Sequence, residues 1–441
     1  MSQRGELAAA CVFPSFPGTE PPDWVRRFLA GGGGGLVLFA YNVPTREALA
    51  GLTAALRAES PDVLLSLDEE GGDVTRLEWR EGSSYPGGAA LGVVDDVGVT
   101  ELVARSIAAD LAAVGVNWNL APVADVNVPA NPVIGTRAFG DDAELVARHV
   151  AAYVRGLQSR RVAACAKHFP GHGSTTQDSH LELPTLVGDV EDGLPPFRAA
   201  IDAGVASIMT AHVRVGELPA TVDPQVLGGL LRGELGFDGV VFADALEMKA
   251  VSETIGVVDT AVRAIEAGAD ALCAGHDLGE EAVDAVVEAL ATRVSEDRLR
   301  DAAGRVRRLA DWARPEAGIP ARDEAAAAAR RALELSGDVS LGAAPVVVEL
   351  RPTANIAAGE AEHRLAGAVV VRAGEAVPEA DVYVVRDAHR HGWMREAVDR
   401  PGAVVVETGL PVWRPGRSRG YVATYGGGGA SLHAAEEVLG L

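Results

Sequence analysis

The densest run of reactive side chains is Lys167-His168-Phe169-Pro170-Gly171-His172-Gly173-Ser174-Thr175-Thr176-Gln177-Asp178-Ser179-His180, which holds three histidines, a lysine and an aspartate. Its glycines and proline preclude a helix, so it reads as a long loop. Asp178 and His180 stand two residues apart. At that spacing a bent loop lets the carboxylate accept from one ring nitrogen while the other faces a substrate. Such a partner fixes the tautomer and raises imidazole basicity, as acid/base chemistry requires. Alone, a D-x-H pair is weak, since surface pairs of this kind are common. Asp244 closes the apolar run Gly239-Val240-Val241-Phe242-Ala243 with no basic residue within three positions. A carboxylate at such a strand end is a candidate nucleophile for an anomeric carbon, provided a proton donor serves the leaving-group side.

Eight short apolar segments could carry these groups: Leu7 to Phe13, Leu36 to Ala40, Val63 to Asp68, Val116 to Pro122, Val162 to Lys167, Ser207 to His212, Gly239 to Asp244 and Ala269 to Ala274. Between them, Arg46 to Glu59, Val99 to Val114, Asp142 to Ser159 and Val257 to Glu266 repeat apolar residues with helical period. Near-continuous apolar strands alternating with amphipathic helices predict an α/β fold whose parallel sheet is buried on both faces, closed as a (β/α)8 TIM barrel. An open doubly wound sheet is the alternative. In a barrel the site gathers at the C-terminal strand ends. Polar groups stand there in the run Asp68-Glu69-Glu70-Gly71-Gly72, at Lys167-His168, at His212 and at Asp244. Each alone could be a helix cap or a packed strand end; His212 in particular suits either role.

The 441 residues divide into a barrel domain over 1–313, a linker and connecting helix over 314–340 and a short α/β domain over 341–441. Arg314 to Pro320 is the Pro- and Gly-containing linker, followed by an alanine-rich helix, Glu324 to Leu335. Strands Val346 to Leu350, Ala368 to Val371, Val382 to Val385, Ala403 to Glu407 and Val422 to Tyr425 precede a closing helix, Ser431 to Leu439. The Gly31 to Gly35 run reads as a tight helix-to-strand connection, and Gly426 to Gly429 as a turn. His389 and His391 fall in a mixed-charge segment that reads as a solvated face.

With 39 basic against 62 acidic residues the net charge is −23, which disfavours nucleic acid and anionic membranes as partners. Cys11, Cys165 and Cys273 lack zinc-type spacing and sit in apolar runs, so they are expected buried and reduced, as in a cytoplasmic protein. No run has the length of a membrane span, and the N-terminal apolar run lacks a basic n-region or cleavage site, which predicts an unexported protein.

Lys167-His168-Phe169-Pro170-Gly171-His172-Gly173 followed by Asp178-Ser179-His180 resembles the K-H-F-P-G-H-G...D-S-H signature of glycoside hydrolase family 3, in the subgroup of bacterial β-N-acetylglucosaminidases of cell-wall recycling. Phe242-Ala243-Asp244-Ala245-Leu246-Glu247-Met248 is similar to that family's F-[ST]-D-[DA]-L-x-M. The resemblance implies a retaining exo-β-N-acetylhexosaminidase with Asp244 as nucleophile, His180 as acid/base and Asp178 as its partner. It implies sugar-binding roles for Asp68 and Arg76, in an element resembling D-Q-E-G-G-R-V-x-R, for Arg137 in Ile134-Gly135-Thr136-Arg137-Ala138-Phe139, and for Lys167 and His168. β-Glucosidase relatives lack D-S-H, so its presence points to N-acetylhexosaminides, peptidoglycan-derived or muropeptide-type glycosides among them. No metal or organic cofactor is implied. The second domain resembles the family's C-terminal domain in shortened form, placed to pack on the barrel or to mediate a homodimer.

Three positions depart from the pattern. Glu69 replaces Gln, Asp73 stands where Arg is frequent, and Ala243 replaces Ser or Thr. Asp73 adds negative charge beside the sugar site, which disfavours an anionic aglycone. Other readings are phosphorolysis by the same residues, a metal-dependent barrel hydrolase using His168, His172 and His180, and a non-catalytic sugar-binding barrel.

Overall fold

The computed structural model describes residues 2–175, 177, 179, 182–276, 278–352 and 363–441. Eight parallel strands form one sheet: β1 Val12–Pro14, β2 Gly35–Val37, β3 Leu64–Leu67, β4 Trp118–Asn119, β5 Ala163–Phe169, β6 Ser207–Thr210, β7 Val240–Ala243 and β8 Ala271–Ala274. Their order is β1-β8-β7-β6-β5-β4-β3-β2. β1 and β2 lie side by side, so the sheet curls into a nearly closed barrel. Strand alternation sends Phe13, Trp118 and Phe242 into one interior cluster with Val37, Leu64, Cys165, Met209 and Cys273. Phe13 meets Trp118 and Phe242 edge-on at 5.3 and 5.5 Å between centroids. The Trp118 indole N–H donates to Ser207 Oγ at 2.8 Å, which satisfies the one polar atom that ring buries. The outward positions pack under the surrounding helices in a second, larger cluster.

The first strand begins later than expected. Gln3–Ala9 is a helix, capped by Ser2, whose hydroxyl accepts from the Gly5 amide at 3.2 Å. Leu7 to Ala9 are therefore the buried side of a helix, and the strand is confined to Val12–Pro14. The Gly31 to Gly35 run does make the tight connection between helix Asp23–Ala30 and β2. A Cβ on Gly34 would stand 2.1 Å from the Ala10 carbonyl oxygen, and one on Gly35 2.2 Å from that of Leu64. These glycines let neighbouring backbones close the barrel.

A second sheet holds β9 Glu334–Gly337, β10 Val347–Arg351, β11 Val369–Arg372, β12 Val382–Val385, β13 Val404–Glu407 and β14 Gly420–Ala423, in the order β9-β14-β13-β12-β10-β11. All neighbours are parallel except β9, which runs antiparallel to β14. Apolar clusters cover both faces. The alanine-rich helix stops at Ala332 rather than Leu335, because the ladder with β14 captures Glu334–Gly337 against its local helical preference. The last strand ends at Ala423, before Tyr425 turns at a φ of 52°. The connecting helix Arg322–Ala332 is tied to the barrel by Arg322, which donates to Asp110 at 2.7 Å and Glu78 at 3.2 Å. Among the described residues no helix is long and apolar enough to cross a membrane.

Gly35→Ala places a methyl group against fixed backbone and is expected to destabilise the chain by about 1–3 kcal/mol. A fall in the urea midpoint with an unchanged slope checks this.

Candidate active site

β3 and β5 end side by side at the barrel mouth, separated only by the short β4, and their C-terminal residues assemble a buried charge network. Lys167 Nζ lies 2.7 Å from Asp68 Oδ1 and 2.6 Å from Glu70 Oε1. Arg137 grips Glu70 with two bonds of 2.9 and 2.7 Å, and Arg76 reaches Asp68 at 3.3 Å. Burial opposes ionisation of Asp68, but Lys167 and Arg76 outweigh it and hold the carboxyl well below its usual range. The same opposition at Glu70 ends with Arg137 and Lys167 drawing it down to about 2. Lys167, 2% exposed, remains charged because both carboxylates outweigh its desolvation. Four expected sugar-site residues, Asp68, Arg76, Arg137 and Lys167, are thus brought together.

His168, the fifth, is set beside them through Asp125. Asp125 Oδ2 lies 2.7 Å from His168 Nδ1, and Oδ1 accepts from the His172 amide at 2.6 Å. A carboxylate accepts only, so Nδ1 carries a proton in this contact. His172 is different. Its Nε2 meets Ser179 Oγ at 2.8 Å and its Nδ1 meets Thr175 Oγ1 at 3.0 Å. Burial pushes its pKa down to about 4, and both nitrogens are engaged by hydroxyls of its own loop. Asp178 and His180 lie outside the described residues.

Asp244 is half-buried just past β7, and the Ala245 amide donates to its Oδ1 at 2.8 Å. His212 fixes this turn. Its Nε2 donates to the Ala245 carbonyl at 2.9 Å, and its Nδ1 pairs with Thr221 Oγ1 at 2.8 Å. His212 is fully buried and engaged through both ring nitrogens. Nearby Glu247 accepts from the His276 amide at 3.0 Å, and burial raises its carboxyl to about 7.

Asp73, expected to add bare negative charge, is neutralised from the second domain. Arg386, just past β12, donates to its two oxygens at 2.9 Å each, while Thr136 Oγ1 and the Gly427 amide donate at 2.5 and 2.7 Å. Burial works against ionisation here, yet Arg386 and Thr136 bring the carboxyl down to about 2. The Gly426 to Gly429 turn also serves this contact: a Cβ on Gly428 would stand 2.4 Å from the Gly72 carbonyl oxygen. His389, read as solvated, reaches across to the Pro129 carbonyl at 3.0 Å.

Residues 23–309 match the family described as Glycosyl hydrolase family 3 N terminal domain. The chain belongs to glycoside hydrolase family 3. It is a glycoside hydrolase, similar to the β-hexosaminidase of Stenotrophomonas maltophilia (strain K279a), with 38% identity over 281 residues, 60% of this chain and 82% of that one. Among solved structures it resembles a family 3 β-N-acetylglucosaminidase from Paenibacillus sp. str. FPU-7, at 30% identity and a TM-score of 0.87, covering 100% of this chain and 96% of that one. A β-N-acetylhexosaminidase from Beutenbergia cavernae DSM 12333 matches at 30% identity and a TM-score of 0.64, over 70% of this chain and 99% of that one.

Within this family 3 chain, Glu70, Asp125 and Arg386 escaped the sequence reading as individual residues. Glu70 was visible inside the acidic strand end. Asp125 follows Pro122-Val123-Ala124 past β4 and carried the same kind of signal, a carboxylate after an apolar run. Arg386 had none, because its partner lies 313 positions away.

Two outcomes are expected. Glu69 is 2% exposed; its Oε2 accepts from the Arg76 and Leu77 amides at 2.9 Å each, and burial still raises its pKa from 4.5 to about 7. The folded state then binds more protons than the unfolded one, so stability falls as pH rises from about 4.5 through about 7. Glu69→Gln removes that penalty, on the order of 1–3 kcal/mol, and its melting-temperature advantage over the unaltered chain should grow between pH 5 and pH 8. Arg386→Ala strands a buried carboxylate and should cost about 3–5 kcal/mol, while Asp73→Ala/Arg386→Ala together should cost less than Arg386→Ala alone. Thermal unfolding of the three variants checks this.

Proposed function

We propose that this glycoside hydrolase is a retaining exo-β-N-acetylhexosaminidase releasing terminal β-linked N-acetylglucosamine, with peptidoglycan-derived fragments as substrates and the cytoplasm as its setting. Asp244 carries the reading. It is a half-buried carboxylate at a barrel strand end, oriented by the Ala245 amide and by the turn that His212 anchors. In this reading Asp244 attacks C1 while His180, partnered by Asp178, protonates the glycosidic oxygen, giving a covalent glycosyl-enzyme. His180 then takes a proton from water, which attacks C1 and frees the sugar with its β configuration. Asp68, Lys167, Arg137, Arg76 and His168 hold sugar hydroxyls. Their mutual pairing fixes donors and acceptors before substrate arrives, so little ordering is left to binding. Names of the relatives at 30% identity and above agree with the sugar class.

Asp244→Ala should lower turnover of an aryl β-N-acetylglucosaminide by roughly 10³-fold or more, whereas His180→Ala should spare a dinitrophenyl leaving group far better than a poor one. Equal, mild losses from both changes contradict the roles. The first-formed anomer, read by proton NMR, should be β; an α product contradicts retention. A sugar 1-phosphate appearing in phosphate buffer would replace hydrolysis with phosphorolysis by the same residues.

A further inference from the structure

Between the two domains lies a cleft of about 1310 Å³. That exceeds the ~300–1,000 Å³ of ordinary small-molecule sites. Its described lining carries seven arginines against three carboxylates, in a chain whose net charge is −23. The carboxylates are already engaged. Asp73 is held by Arg386, Glu349 by Arg351 at 2.7 Å, and Asp387 accepts from the Leu410 amide at 2.9 Å. Arg364, Arg372 and Arg390 are exposed and make no ion pair among the described residues. The other four are paired, Arg76 with Asp68, Arg137 with Glu70, Arg351 with Glu349 and Arg386 with Asp73, so these three supply the free positive charge, and a bound oxyanion meets it with fork-shaped donors.

The topology points the same way. β10 is followed by β11 on one side and by β12 on the other, so the β10/β12 junction is where strand order reverses. Ligands of open α/β sheets sit outside the carboxyl ends of the strands at such a point. Arg351 ends β10, Arg372 ends β11, and Arg386 follows β12. The cleft's other wall includes Arg76 and Arg137, while Asp244 is absent from its lining. It therefore opens beside two of the residues proposed to hold sugar hydroxyls.

We infer that this cleft is an anion subsite for a phosphoryl or carboxylate group borne by the non-reducing sugar of the substrate. The orientation of the sugar, though not the charge of the cleft, rests on the proposed function. The cleft thus favours anionic ligands despite the family-pattern departure at Asp73, and it places the charge on the glycon rather than the aglycone.

Calorimetry on the full chain, paired with competition against hydrolysis of a neutral aryl β-N-acetylglucosaminide, tests the inference with four probes: N-acetylglucosamine, its 6-phosphate, its 3-O-lactyl ether and inorganic phosphate. At least one anionic sugar should bind about tenfold or more tighter than N-acetylglucosamine, a preference that salt weakens. In Arg364→Gln/Arg372→Gln/Arg390→Gln the preference should fall to within about twofold, at an unchanged melting temperature, since exposed substitutions alter stability little. Neither anionic sugar binding better than N-acetylglucosamine, or a preference that survives the triple change, overturns the inference. So does inorganic phosphate binding as tightly as the sugar phosphate, which makes the cleft a site for free anions. Because calorimetry needs no turnover, failure to hydrolyse the neutral glycoside would sink the proposed function and leave the binding comparison to decide the cleft.

Discussion

Lys167 is the constraint around which the barrel mouth is built. An ammonium group 2% exposed is tolerable only with matched counter-charge, and Asp68 and Glu70 both supply it within 2.7 Å. Two carboxylates on one lysine over-compensate, and Arg137 and Arg76 bring the cluster to three cations against two carboxylates. The strand ends of β3 and β5 and the loop after β4 are thereby locked together by charges that none of them could bury alone. Replacing Glu70 would take from Arg137 the carboxylate it grips with two bonds. A site of this kind is oriented before a ligand arrives, and its polar atoms point where the network's geometry sends them.

The second domain extends the same logic. Arg386 does for Asp73 what Arg137 does for Glu70, and Thr136, one residue before Arg137, donates to the same carboxylate. The loop that carries Arg137 is therefore held from both sides of the domain boundary. Gly428 allows this because a side chain there would run into the Gly72 carbonyl oxygen. Glycines that look like low-complexity filler in the sequence are here the condition for two domains to share one buried ion pair.

The barrel was legible because its evidence is local. Parallel strands buried on both faces must be continuously apolar, and Arg46–Glu59 appears in the structure with the bounds its periodicity predicts. Asp68, Lys167 and His168 were legible as candidates because several strands close on polar residues at the same end, though each alone could have been a cap or a packed strand end. What failed locally was Gln3–Ala9, where a serine cap turned an apolar run into a helix, and Glu334–Gly337, which takes its conformation from a strand some 80 residues on. The fate of Asp73 was illegible for a deeper reason. A carboxylate's sign is read from sequence, but its effective charge depends on a partner that only the tertiary fold supplies. The departure from the family pattern thus pointed to added negative charge where the assembled cleft is cationic.

The three thiols carry a further consequence. Cys11, Cys165 and Cys273 are free and buried, and desolvation raises each well above the range in which a thiolate forms near neutral pH. Sealed in this way, they neither attack nor are attacked while the chain stays folded. The fold therefore draws on no disulfide among the described residues. Cysteine content that reads in sequence as a mark of a reducing compartment becomes, once packed, a set of small apolar side chains, Cys165 and Cys273 filling space beside Phe13 and Trp118 and Cys11 lying under the outer helices.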